Sequence, residues 1–324
     1  MRGGTSLLNY KYLCLHPSKN VTLHVERLTH PSKIKDIVLR SLESKRLLLD
    51  SHRGPQIVAK RIFSMLQEMD LSGLNSVDWV LNVNNKESWE RLILDKENLV
   101  VGPNIEFEKD HISEKLLLID SFKILVPSEW VIPIIQERLK WFRGEYHIFP
   151  SDIDFNFWKP LQNGNRNQIL IYRKYDTSED DFINVVKICK MMGLRYKVVT
   201  YGKYTQRSFR RILRKCQAAV WLGTTESQGI ALLECWAMDV PSLVRSQDSF
   251  EDNVTGKDFD SSSAPYLVRE CGAQIYATDL NIDSFSNFLK ESFAKSPREY
   301  VISQFSTAKM LEKLFIILTN GNTR

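Results

Sequence analysis

Ala218-Ala219-Val220-Trp221-Leu222-Gly223-Thr224-Thr225-Glu226-Ser227-Gln228-Gly229-Ile230-Ala231-Leu232-Leu233-Glu234-Cys235-Trp236-Ala237-Met238 passes from one apolar run, through a polar loop, into another. The run 218–222 reads as a short buried strand ending at Gly223. The run 229–238 has the length of a helix and is apolar all round except at Glu234, so it reads as a buried helix. An ionised carboxylate there is costly unless something hydrogen-bonds it. Glu234 therefore needs a partner, either a polar ligand or an Arg or Lys of the chain. Glu226 stands just before the helix, where the positive dipole end keeps a carboxylate ionised. It is either a helix cap or an acceptor for ligand hydroxyls.

A strand, a loop and a helix that starts on glycine bring backbone N–H groups to the carboxyl edge of a sheet. That is a ready anion site, above all for phosphate, and Gly229 has no side chain to block close approach. Two acceptors beside a phosphate cradle suit a ligand with phosphate in the middle and hydroxyls at both ends, the layout of a nucleotide sugar.

Outward from this block the same alternation recurs. Downstream, 241–244 reads as a strand, followed by helices near 282–295 and 297–318. Upstream lie strands at 168–172 and 196–200 and helices at 178–192 and 206–216, the first with acidic residues in its first turn as the dipole favours. Gly144 to Pro160 interrupts the pattern with Gly144, Pro150 and Pro160 among aromatics, and reads as a domain boundary. Before it come strands at 46–50, 78–83, 98–101 and 122–126. A turn at 51–55 opens a helix over 56–69, and another helix runs from Trp130 to about Phe142. In the first 44 residues, hard to place, 21–25 alternates like a strand and 34–42 fits a helix. Strands alternating with helices predict parallel α/β sheets. The expectation is two Rossmann-like domains, 1–148 and 149–324, facing across a cleft at the carboxyl ends of their strands. The last helix, about 300–318, is expected to pack back on the first domain.

The 324 residues allow two domains, and 43% hydrophobic with 26% charged composition is that of a soluble globular protein. The formal net charge of +5, concentrated in the first fifty residues, is too weak to argue for nucleic acid. It reads as a solvated surface, with a peripheral contact to anionic membrane as the sharper alternative. The five cysteines are scattered and form no CxxC pair, which suggests reduced core residues of a cytoplasmic protein. No apolar run reaches the roughly 18–20 residues that span a bilayer. Asp152 and Asp154 have metal-binding spacing but fall in the linker, so no metal site is expected there.

The block Glu226 to Glu234, continuing through Asp239-Val240-Pro241-Ser242-Leu243-Val244, resembles the glutamate–seven–glutamate motif of retaining GT-B glycosyltransferases, especially family 4. That family usually has a small or aromatic residue before the glycine, and a glycine where Asp239 stands. Gly102-Pro103-Asn104, 126–131, 149–154 and Trp158-Lys159-Pro160 are similar to other stretches of it, so the resemblance covers roughly 46 to 280.

It implies a GT-B fold and a metal-independent transferase that moves a sugar from a nucleotide donor, such as a UDP- or GDP-sugar, to a hydroxyl acceptor. The acceptor would be a glycan or glycolipid, as in polysaccharide biosynthesis. Glu226 would accept from sugar hydroxyls and Glu234 from the ribose. Arg173 and Lys174 occupy the place of the family's basic pair, and with the N–H groups of Gly229, Ile230 and Ala231 would hold the diphosphate. Gln228 and Gly54 complete the donor contacts. Adjacent side chains diverge, so one of Arg173 and Lys174 reaches the phosphate, with Lys203 or Arg207 supplying a second cation; the bland alternative is a solvated strand end. His52 and His111 are candidates for a histidine touching the donor sugar. An inactive binding protein of the same fold, or an epimerase or phosphorylase, remains the alternative.

Overall fold

The computed structural model describes residues 12–18, 21–26, 54–70, 77–83, 99–105, 122–140, 142–161, 164–292 and 294–319. The expected strand 46–50, helix 34–42, His52, Arg53 and His111 lie outside them. The chain divides into two compact units: 1–150 with 252–256 and 310–324, and 151–251 with 257–309.

The first unit holds β1 (Tyr12–Ser18), β2 (Val21–Glu26), α1 (Gly54–Glu68), β3 (Val77–Val83), β4 (Leu99–Ile105), β5 (Phe122–Val126), α2 (Ile132–Arg138) and β6 (Glu145–Ile148). The strands form one six-stranded sheet in the order β1-β2-β3-β4-β5-β6. β1 and β2 are antiparallel, and each later pairing is parallel. α1 buries Val58, Ala59, Ile62, Met65 and Leu66, the helical spacing expected of a core-facing stripe. The Trp79 indole is fully buried and donates to the Gly102 carbonyl at 2.8 Å. Arg138 donates from Nε to Asp252 Oδ2 at 3.1 Å. Burial pushes that carboxyl's pKa up, but the hydrogen bonds from Arg138 and Thr255 outweigh it and hold the pKa at about 2.

The second unit follows with β7 (Gln168–Arg173), α3 (Glu179–Met191), β8 (Arg195–Thr200), α4 (Gln206–Leu213), β9 (Cys216–Trp221), α5 (Ile230–Ala237) and β10 (Ser242–Arg245). A short pair, β11 (Ser249–Asp252) with β12 (Lys257–Asp260), precedes β13 (Gly272–Ile275), α6 (Ile282–Ser292) and α7 (Pro297–Phe305). The main sheet has the order β13-β10-β9-β7-β8 and is parallel throughout. From β7 the chain goes outward to β8, then crosses back to β9 on the other side. That reversal puts a topological switch point between the carboxyl ends of β7 and β9, where open α/β sheets bind ligands. Ile169 to Tyr172 and Ala218 to Leu222 are buried, as strands covered on both faces require.

A single hydroxyl organises the core beneath the site. Ser242 Oγ, fully buried, accepts from the indoles of Trp221 at 2.9 Å and Trp236 at 3.0 Å. At the far end of α5, Asp239 takes φ +59° where a glycine is usual. Arg166 holds the Asp239 carbonyl at 2.7 Å and the Met238 carbonyl at 3.0 Å, and Arg298 holds that of Ala237.

The expected single helix over 297–318 is two: α7 ends at Phe305 and α8 (Thr307–Thr319) follows Ser306, which is extended at ψ 150°. The Phe305 carbonyl accepts from the Ile153 N–H at 3.0 Å instead of continuing the helical ladder. Thr307 Oγ1 donates to Asp152 at 3.1 Å. The segment read as a linker therefore breaks the helix, and from residue 310 α8 belongs to the first unit. Among the described residues no helix is long and apolar enough to cross a membrane. Cys189, Cys216, Cys235 and Cys271 are buried free thiols.

Candidate functional site

Two loops meet at the switch point. The loop after β7 carries Lys174, whose stem runs over Gly223 at the end of β9. A Cβ on Gly223 would lie 2.6 Å from Lys174 Cδ, so glycine there leaves the lysine its path. Lys174 Nζ donates to the Thr225 carbonyl at 2.6 Å and lies 3.5 Å from Glu226 Oε2. Burial pulls the Lys174 pKa down, but the carboxylates of Glu226 and Asp176 outweigh it, so the net shift is upward and the amine stays charged.

Side chains tie the two loops together. Thr177 Oγ1 accepts from the Lys174 N–H at 2.9 Å and donates to the Leu222 carbonyl at 3.1 Å. Asp176 Oδ2 accepts from the Thr224 N–H at 3.1 Å. Ser263 Oγ donates to the Thr224 carbonyl at 2.6 Å.

Gly229 caps α5 at φ +61°, a left-handed conformation that strains any residue with a Cβ. Glu226 Oε1 accepts from the N–H groups of Gln228 at 3.3 Å and Gly229 at 3.0 Å. Glu226 thus caps the helix, and its other oxygen faces Lys174. The first-turn N–H groups of a helix, here those of Ile230 and Ala231, have no intrahelical acceptor. Gln228 is 8% exposed, and among the described residues neither its Nε2 nor its Oε1 has a hydrogen-bond partner.

Glu234 is 2% exposed. Gln206, the first residue of α4, donates to Glu234 Oε1 from its amide at 3.2 Å. This partner is uncharged, where the sequence left open a polar ligand or an Arg or Lys. The hydroxyls of Tyr172 and Tyr204 are 2.9 Å apart. Burial raises the Tyr204 pKa, the hydrogen bond with Tyr172 opposes it, and the negative field of Glu234 adds to the rise. Gln206, Tyr172 and Tyr204 were not among the residues expected at the site. The signal that could have found them is position: Tyr172 is next to the end of β7, and Tyr204 and Gln206 follow the carboxyl end of β8.

Arg173 and Lys174 diverge. Arg173 donates to Glu179 Oε2 at 2.7 Å and stacks 4.0 Å from the Phe182 ring centroid, both on α3. Lys203 and Arg207 are exposed, and Gly54 opens α1 in the first unit. Asp154 Oδ1 accepts from the N–H groups of Asn156 at 3.0 Å and Phe157 at 2.9 Å, a local turn. Among the described residues no His, Cys, Asp and Glu cluster could hold a metal ion.

The chain has the α/β GT-B fold. Its structure resembles that of AviGT4, a glycosyltransferase involved in avilamycin A biosynthesis, with a TM-score of 0.53 and 11% identity over 82% of this chain and 90% of that one. WaaG, a glycosyltransferase involved in lipopolysaccharide biosynthesis, aligns at 0.49 and 13% identity over 83% and 97% of the two chains. HepE of Anabaena, whose structure holds UDP and glucose, aligns at 0.49 and 10% identity over 86% and 89%. No family model and no curated protein matches the sequence.

Proposed function

We propose that the chain is a retaining glycosyltransferase that moves a sugar from a nucleotide donor, a UDP- or GDP-sugar, to the hydroxyl of a glycan or glycolipid. The observation that carries this reading is the meeting of charged Lys174, Glu226 and the N-terminus of α5 at one edge of the sheet. In this role Lys174 and the N–H groups of Gly229, Ile230 and Ala231 bind the diphosphate. Of the basic pair, Lys174 is the one that faces this edge, while Arg173 is engaged with α3. Glu226 leaves its cap and accepts from sugar hydroxyls. Glu234 exchanges Gln206 for the ribose.

The anomeric C–O bond of the donor breaks, and its electron pair goes to the departing phosphate oxygen. A cation already held in place lowers the barrier to that charge. The acceptor oxygen bonds the anomeric carbon on the same face, and its proton passes to the leaving phosphate.

The test is turnover of a panel of sugar nucleotides with Glu226→Ala and Glu234→Ala beside the wild type. Glu226→Ala is expected to lose transfer by about 10²-fold or more while UDP or GDP still binds. Glu234→Ala is expected to weaken nucleotide binding. Unchanged kinetics and affinity in both variants would remove the site assignment. Binding without turnover in the wild type would favour an inactive binding protein of the same fold. Release of nucleoside diphosphate only with acceptor present separates a transferase from an epimerase or phosphorylase.

A further inference from the structure

We propose that Gln228 reads an uncharged polar substituent, a hydroxyl or an acylamino group, on the sugar being transferred. The inference rests on the donor-site reading above and deepens it.

The Gln228 carboxamide is more than nine-tenths buried, and among the described residues neither of its polar atoms has a partner. Burying an amide unpaired destabilises a fold, so such groups are rare and need a reason. Its own backbone does not supply one. The Gln228 N–H is spent on Glu226 Oε1 at 3.3 Å, and the next residue turns left-handed into α5.

Position says which part of a donor this amide meets. Gln228 is two residues from Glu226, assigned to the sugar, and lies on the loop before α5. Glu234, assigned to the ribose, is inside that helix.

The chemistry narrows the group further. A carboxamide offers two N–H donors and one carbonyl acceptor, without charge. A phosphate or carboxylate oxygen would satisfy the N–H groups and leave the carbonyl facing lone pairs. A hydroxyl or an acylamino group both donates and accepts, and so answers both ends. The transferred sugar therefore carries such a group at the position Gln228 reads, and a carboxylate there is rejected.

The experiment uses the full chain, the nucleotide sugar it turns over best, and analogues of that sugar with one ring substituent replaced by hydrogen or fluorine. For one such analogue the wild type is expected to lose at least about tenfold in kcat/KM, because a site built to bond a polar group rejects the analogue lacking it. Gln228→Met and Gln228→Leu are expected to lose about as much with the parent sugar and to stop distinguishing the two donors. Nucleoside diphosphate affinity stays within about twofold, and the melting temperature holds or rises because an unpaired amide has been removed.

The proposal is overturned if both variants keep wild-type kinetics with the parent sugar. It is equally overturned if both melt well below the wild type, which would make the amide a structural group. An active wild type with indifferent Gln228 variants removes this assignment alone. A wild type that turns over no nucleotide sugar removes the donor-site reading and this inference with it.

Discussion

The two sheets are built from similar strands and differ in how the strands are ordered. In the first unit the described parallel strands follow chain order from β2 to β6. In the second, the chain reverses direction across the sheet between β7 and β9. A sheet that advances in one direction has no edge where two outgoing loops diverge, whereas a reversal opens such a crevice. The second unit uses it for Lys174 from one loop and Glu226 with α5 from the other. Strand order, more than strand composition, locates the candidate site.

The difference can be broken first through the core. Leu125 in β5 and Leu170 in β7 are both fully buried. Truncating either to alanine is expected to cost about 2–5 kcal/mol. Thermal melts should fall for both, but nucleoside diphosphate affinity, measured well below the melt, should fall only for Leu170→Ala. Equal losses of affinity would mean that the binding edge does not belong to the second sheet.

A smaller effect sharpens the role of the edge. Gly223→Ala places a methyl against Lys174 Cδ and should lower kcat/KM about tenfold, since an angstrom of misplacement is felt strongly at a reacting centre. Gly164→Ala is the control, because its added Cβ comes no nearer to a neighbour than 3.4 Å, at Leu161 Cβ. Identical kinetics for the two variants would detach Lys174 from the chemistry.

The smallest effect belongs to the first unit. Asp252 has its folded pKa lowered to about 2 by Arg138 and Thr255, against burial. A depressed carboxyl contributes stability that is present above its unfolded pKa, about 3.9, and is lost as pH falls through the folded value. The melting-temperature advantage of wild type over Asp252→Asn should be constant near neutrality and shrink between about pH 4 and pH 2. An advantage that grows on acidification would refute the pairing.

Much of the second unit was legible because its strands are continuous apolar runs and its helices carry their own start signals. Ser178 and Thr205 cap α3 and α4, and Gly229 opens α5. The misses have tertiary or compositional causes. β6 carries Glu145 and His147 beside Gly144, so it read as linker. β11 and β12 are four residues each and mostly polar, which hides them from any period-based reading. The break at Ser306 depends on Ile153, far away in sequence. At the site, Glu226 and the helix start were visible because they are local to one strand–loop–helix block, and Lys174 because it directly follows the first strand of the second unit. Gln206 was not, since nothing in residues 206 and 234 taken separately shows that the fold joins them.

The Ser242 hydroxyl shared by two indoles also has an optical consequence. Trp221 closes the strand that feeds the site, and Trp236 lies two residues beyond Glu234 on α5. Both rings are kept from water and tied to one oxygen. Their emission is therefore set by the spacing of β9, α5 and β10, and a shift of α5 relative to the sheet changes it. The chain carries an unlabelled fluorescent gauge directly beneath its candidate site.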